Sequence, residues 1–320
     1  MKINTHVLAT ALLFLVAFVV ACGGEDEAPQ TINDGPEEAM STHREAPERP
    51  DREPLIESET TADGFKAILG TGDLGVGTER IGFVLTSKTG FVNTDGVQVT
   101  PRYVSDGADE AKSTVDTVFH EWPYGNRGLY AAYVDFDKAG DWVLDISLPG
   151  EGGGTSIVPL SVEVFDTSHA PMQGHPAVSS KTRTLDEVQS IEELTTGSLQ
   201  DPDLYQISLD QAIDNEMPTV VVFASPAFCQ NAVCGPQVDV LQELKNAYPK
   251  DANYVHVDFY DNPHEIQGDL ERAVISPAVR EWRLPSIEWT FVIDKQGIVT
   301  ARFEGFATFD EVEAALQQVL

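Results

Sequence analysis

Two cysteines, Cys229 and Cys234, lie between a short apolar run, Thr219 to Phe223, and the start of an amphipathic segment that opens Cys234-Gly235-Pro236. A helix N-terminus presents unpaired backbone N–H groups and the positive end of the helix dipole, and both favour a thiolate. The thiolate is the nucleophile in thiol–disulfide exchange, so this placement suits redox chemistry. The spacing is Cys-x4-Cys. On an ideal helix, residues so separated have Cα atoms about 8.6 Å apart. A disulfide tolerates roughly 7 Å. The pair can therefore close only if Cys229 sits on a loop ahead of the helix.

The elements around the pair follow from hydrophobic periodicity. Thr219–Phe223 has no polar alternation, as expected of a strand covered on both faces. Val238, Leu241, Leu244 and Tyr248 share one helical face. Tyr254–Phe259 reads as the next strand. Trp289–Asp294 and Ile298–Phe303 read as a hairpin about a Lys-Gln-Gly turn, Phe309–Leu320 as a closing helix and Asp210–Glu216 as a short one. Upstream, residues 64–166 are all-β, with strands at Arg80–Thr86, Val97–Val104, Gly128–Phe136, Asp141–Leu148 and Pro159–Phe165. Short strands divided by Gly, Asp and Pro turns predict a β-sandwich. Along Gly128–Phe136, Leu129, Ala131 and Tyr133 share one face, and Tyr130, Ala132, Val134 and Phe136 the other. Tyr130 and Trp142 are expected in the core. Residues 167–193 form a Pro-, Ser- and Thr-rich linker, whose His169 and His175 are read as loop histidines. Residues 194–320 form the α/β domain, and the two domains are expected to fold independently.

The N-terminus bears on compartment. Lys2 precedes an apolar run from Val7 to Ala21, which suits a signal peptide over residues 1–21. The run ends Val-Val-Ala-Cys22 and resembles a bacterial lipobox, which implies a lipid on Cys22. Residues 22–63 are rich in Glu, Asp, Pro and Thr and predict a disordered acidic tether. Besides Cys22, two of the three cysteines remain, and in an exported protein they are able to pair. The net charge of -32 and a pI near 4.3 exclude binding to nucleic acid or anionic lipid by charge.

The order of strand, cysteine helix, strand, hairpin and helix resembles the thioredoxin fold. Arg127-Gly-Leu-Tyr130 and Ala139-Gly-Asp-Trp142 resemble a pattern of small immunoglobulin-like, FixH-like exported modules. The fold class is thus multidomain, an immunoglobulin-like β-sandwich followed by an α/β thioredoxin-like domain, similar to bacterial exported thioredoxin-domain lipoproteins. The resemblance implies that Cys229 is the exposed nucleophile and Cys234 the buried resolving thiol. It also implies a loop facing them, and here the chain departs from the family. The family's proline position, three residues before Phe291, holds Glu288; Pro285 lies three residues earlier. Either the loop brings Pro285 in, or Glu288 faces the cysteines, where its charge would raise the pKa of Cys229. The family's buried carboxylate is also missing from Val220–Phe223.

These features point to a membrane-anchored extracytoplasmic thiol–disulfide oxidoreductase. Its partners would be exported protein thiols or disulfides and, through the lipid, a membrane. It would need no cofactor and no metal. Alternatives are a binding module with a structural disulfide, a copper chaperone drawing on His256 or His264, and a thiol peroxidase. Sco-like copper chaperones carry their histidine farther downstream than either candidate. The peroxidase reading matches a Cys-x4-Cys branch, but Pro226 stands at its threonine position, and Arg280 or Arg302 would have to supply the activating arginine.

Overall fold

The alternation along Gly128–Phe136 places one strand between two cores. Tyr130, Ala132, Val134 and Phe136 are buried in the first core, and Leu129 and Ala131 in the second. Tyr133, on the face of Leu129 and Ala131, is 57% exposed, so the second core ends there. The computed structural model describes residues 55–123, 127–150, 153–229 and 233–320. The predicted signal peptide, Cys22 with its lipid, and the tether up to residue 54 lie outside the described residues.

The first core lies between two sheets. One orders Ile56–Glu57, Lys66–Leu69, Gly77–Ser87, Gly128–Phe136 and Val118–Glu121, all antiparallel. The other orders Leu74–Gly75, Thr155–Phe165, Gly140–Pro149, Gln98–Tyr103 and Glu110–Ala111. Trp142 is fully buried, edge-on to Phe136 at 5.2 Å and to Tyr103 at 5.4 Å. It is packing, as is Tyr130, whose hydroxyl accepts from the Thr94 N–H at 2.9 Å. The first sheet starts upstream of the boundary expected at Gly64. Ile56 pairs with Leu69, and Lys66 makes an ion pair with Glu57, so a stretch read as tether is held as an edge strand.

The second core belongs to a four-stranded sheet in the order Asn253–Asp258, Thr219–Ala224, Trp289–Ile293 and Val299–Glu304. The first two strands are parallel and the others antiparallel. Every residue of Thr219–Ala224 is buried. The helix Cys234–Ala247 makes the crossover and buries Val238, Leu241 and Leu244. The helix Phe309–Gln317 closes the domain, its first turn fixed by a Thr308–Glu311 capping box. This strand order and crossover are those expected of a thioredoxin-like domain.

All described residues belong to one compact unit, Glu45–Leu320. Polar groups tie sandwich to α/β domain. Arg80 donates through Nε to Glu311 at 2.8 Å and through Nη2 to the Phe306 carbonyl at 3.0 Å. Arg302 donates through Nη2 to Glu79 at 2.9 Å and to the Asp73 carbonyl at 2.7 Å. Arg302 also reaches Ser168 Oγ at 2.6 Å, within the stretch read as linker. Asp73 accepts from the His169 and Ala170 backbone N–H groups at 2.8 and 2.9 Å. His169 is therefore no plain loop residue, since its Nδ1 lies 2.9 Å from Asp73. Burial works against the Asp73 charge, yet His169 and Arg302 hold its carboxyl below the usual range. Burial wins for Glu79, which stays raised despite Arg302.

Candidate active site

Cys229 and Cys234 are joined as a disulfide with Cα atoms 5.9 Å apart. The helix starts at Cys234, and Cys229 precedes it on a loop, as the spacing requires. Cys229 is half-buried and Cys234 is fully buried. The backbone N–H of Cys234, one of the unpaired donors of the helix N-terminus, points to Cys229 Sγ at 3.3 Å. That donor favours negative charge on Cys229 when the bond opens. Pro236 sits in the first turn, where no intrahelical bond needs its missing N–H. The loop before Cys229 is fastened by Ala227, whose N–H donates to Thr196 Oγ1 at 3.2 Å.

Glu288 faces the pair. One of its carboxylate oxygens and the two sulfurs all lie within 4.8 Å of one another. Glu288 is buried, and neither oxygen has a hydrogen-bond partner among the described residues. Burial pushes its carboxyl up to about 8, and the Arg80 charge pulls the other way. At neutral pH it carries a proton, so the charge repulsion expected against Cys229 is absent below that value. Pro285, three residues earlier in the chain, is buried, and no peptide bond among the described residues is cis. Of the two arrangements open from sequence, the structure adopts the one with Glu288 at the sulfurs.

Local structure explains the placement. The short helix Pro277–Glu281 is capped by Trp282 and followed by Arg283, whose φ of 54° is left-handed and turns the chain into the loop. Trp282 anchors that turn between Phe223 at 5.0 Å and Phe291 at 4.8 Å. Gly305 then donates its N–H to the Glu288 carbonyl at 3.0 Å. Its φ of 73° suits glycine, and a Cβ there would meet the Gly70 carbonyl at 3.3 Å.

The strand Thr219–Ala224 carries no acid, as read from sequence, but Asp258 lies opposite Ala224 on the next strand. Burial pushes it up to about 6. Its oxygens are engaged by the Thr196 N–H at 2.7 Å, Thr196 Oγ1 at 2.9 Å and the Tyr260 N–H at 3.0 Å. It therefore fastens loops. His256 is held between Tyr205 Oη at 2.6 Å and the Ala224 carbonyl at 3.1 Å, and burial lowers it to about 4. Both ring nitrogens are occupied, which leaves none for copper, and His264 is outside the cluster of Cys229, Cys234 and Glu288. Arg302 is bound to the sandwich carboxylates and Arg280 is exposed. If a thiophilic metal bound the reduced pair, Cys229, Cys234 and Glu288 would be its ligands. Sequence reasoning missed Arg80, which no local motif connects to the cysteines.

No protein-family model matches this chain, and no curated protein matches it. Among solved structures, it aligns with a thiol:disulfide interchange protein of the thioredoxin family from Chlorobium tepidum TLS. That alignment has 13% identity and a TM-score of 0.32, over 47% of this chain and 99% of the other. A DUF4426 family protein from Pseudomonas aeruginosa PAO1 aligns at 12% identity and a TM-score of 0.24, over 36% of this chain and 98% of the other. Likenesses this distant say nothing of activity, and the thioredoxin-like fold rests on the strand order described above.

Proposed function

We propose that the chain is an extracytoplasmic thiol–disulfide oxidoreductase. The supporting observation is the asymmetry of the pair: Cys229 is reachable and receives a helix N-terminal N–H, while Cys234 is buried beside a protonated carboxyl. In the oxidising direction a substrate thiolate attacks Cys229 Sγ and breaks the Cys229–Cys234 bond. The leaving Cys234 sulfur takes the electron pair and then the proton of Glu288. A second substrate thiol gives its proton to the Glu288 carboxylate and attacks the mixed disulfide, releasing Cys229 as a thiolate. The substrate is oxidised by two electrons and the pair is reduced. Reductive turnover runs the same steps backward, with Glu288 as base for Cys234.

Cys234→Ser should accumulate mixed disulfides with a disulfide-bonded peptide, Cys229 attacking one peptide sulfur and the other leaving as a thiolate, seen by mass spectrometry, while Cys229→Ser forms none. Adducts on Cys234 of the Cys229→Ser variant instead, or on neither variant, would contradict this assignment.

The finer parts of the reading concern location and build. A disulfide persists in an oxidising compartment, which agrees with an exported protein. The Val-Val-Ala-Cys22 run supports a lipid on Cys22 that holds the chain to a membrane. Cys22→Ser should then move the protein from the membrane to the soluble fraction; retention of the variant on membranes would refute the anchor. The sandwich is read as an immunoglobulin-like, FixH-like module that carries the redox domain.

A further inference from the structure

Cys229 Sγ, Cys234 Sγ and one Glu288 carboxylate oxygen make a compact donor set, all within 4.8 Å of one another. They come from three places in the chain. Cys229 sits on the loop before the helix, Cys234 starts that helix, and Glu288 precedes the strand Trp289–Ile293. Glu288 is 2% exposed, and neither of its oxygens has a hydrogen-bond partner among the described residues. A buried oxygen without a partner is costly, so a state that supplies one is favoured. The closed disulfide supplies none, because its sulfurs have no proton to donate.

Reduction changes what the three groups offer. Two thiolates on one tetrahedral ion, with metal–sulfur bonds of about 2.3 Å, lie about 3.8 Å apart. The Cα atoms of the pair are 5.9 Å apart, so side-chain rotation reaches that separation. An ion enters from the Cys229 side. Ala227 is exposed and Phe228 and Cys229 are half-buried there, while Cys234 and Glu288 are buried. The Cys234 N–H, 3.3 Å from Cys229 Sγ, is placed to steady that thiolate beside the ion. The donor types select the ion. Calcium and magnesium need six or more oxygens, and one carboxylate does not provide them. Copper(I) suits the two thiolates and leaves the carboxylate unused. A zinc-class cation takes sulfur and oxygen together, with three protein ligands and a fourth position open.

We propose that the reduced chain binds one zinc-class divalent cation through Cys229 Sγ, Cys234 Sγ and a Glu288 carboxylate oxygen, and that closure of the disulfide expels it. Binding releases the protons held by the three groups. Closure transfers two electrons from the thiolate pair to an acceptor disulfide, which leaves as two thiolates, and the ion departs with its charge unchanged. While bound, the ion occupies the sulfur lone pairs that attack on a disulfide requires, so it holds the pair reduced and inactive. The site needs only a reducible bond, so it stands apart from the oxidoreductase reading.

The full chain, reduced with a phosphine and desalted without air, is titrated with cadmium in excess magnesium, which occupies the exposed carboxylates. One equivalent should raise a thiolate-to-cadmium charge-transfer band in the ultraviolet, and the oxidised chain should raise none. Zinc should displace the cadmium, and competition with a chelating dye gives its affinity. Cys229→Ser and Cys234→Ser should each weaken zinc binding by at least about 100-fold. Glu288→Gln should weaken it by about tenfold, and Glu288→Asp, one methylene short, by about threefold. Equal binding by the oxidised and reduced chains would put the ion on the acidic surface and overturn the proposal. So would a reduced chain without the band, or a zinc affinity unchanged by Glu288→Gln, which would leave a bare thiol pair. Should the buried variants fail to fold, Cys229→Ser and Glu288→Asp decide by the same criteria. Binding by a chain that exchanges no disulfide would keep the site and defeat the redox reading instead.

Discussion

Glu288 is the residue on which the proposed chemistry and the stability both turn. Its carboxyl titrates near 4.5 when free and is pushed to about 8 by burial in the folded chain. Between those values the unfolded chain loses the proton and the folded chain keeps it. Stability of the oxidised protein should therefore fall as pH rises through that window. Glu288→Gln removes the titration, so urea unfolding at pH 5 and pH 8.5 should show the pH-dependent loss shrink by roughly 2–4 kcal/mol. An unchanged pH slope would show that Glu288 is charged in the folded state. The same variant should slow exchange by about 100-fold and lose a rate inflection near pH 8. At this scale the cysteines were legible, because a spacing too long for an ideal helix forces Cys229 onto a loop. Glu288 was legible as one of two candidates for the facing position. Its protonation was not, because burial and the distant Arg80 set it.

Among elements, the strands were legible wherever a period of two or an unbroken apolar run marked a face. Gly128–Phe136 was read with its two faces correct, but nothing in the alternation tells that both faces meet a core. Ile56–Glu57 was hidden in an acidic stretch, since an edge strand this short carries no pattern. The polar seam was also hidden, as its partners come from separate parts of the chain. Arg302 is its centre, facing Asp73 and Glu79, both nearly fully buried. Arg302→Ala leaves two buried carboxylates without their counter-charge and should cost roughly 3–5 kcal/mol at pH 7. The loss should shrink as pH falls and these carboxylates take up protons, the raised Glu79 ahead of the lowered Asp73. Arg302→Lys should recover only part of it, because one ammonium cannot span Glu79, Asp73 and Ser168 together. Urea titrations across pH measure this, and a loss independent of pH would assign the effect to packing alone.

For the whole molecule, composition bounded the answer: an acidic chain with a single cysteine pair beyond Cys22, a sandwich and a thioredoxin-like domain. What composition could not convey is that the sandwich packs on the α/β domain, with Arg80 donating to the Phe306 carbonyl and a groove lined from both. In the proposed function the disulfide is a working bond: Cys229 is half-buried, its sulfur receives a helix N–H, and the Glu288 carboxyl stands within reach of Cys234. The most direct measurement is the reduction potential of the Cys229–Cys234 pair, obtained by equilibrating the full chain in glutathione buffers and counting free thiols. A value of about −200 mV is the expected result, since such a bond exchanges readily with protein thiols. A value well below about −300 mV would mark the bond as structural and contradict the account.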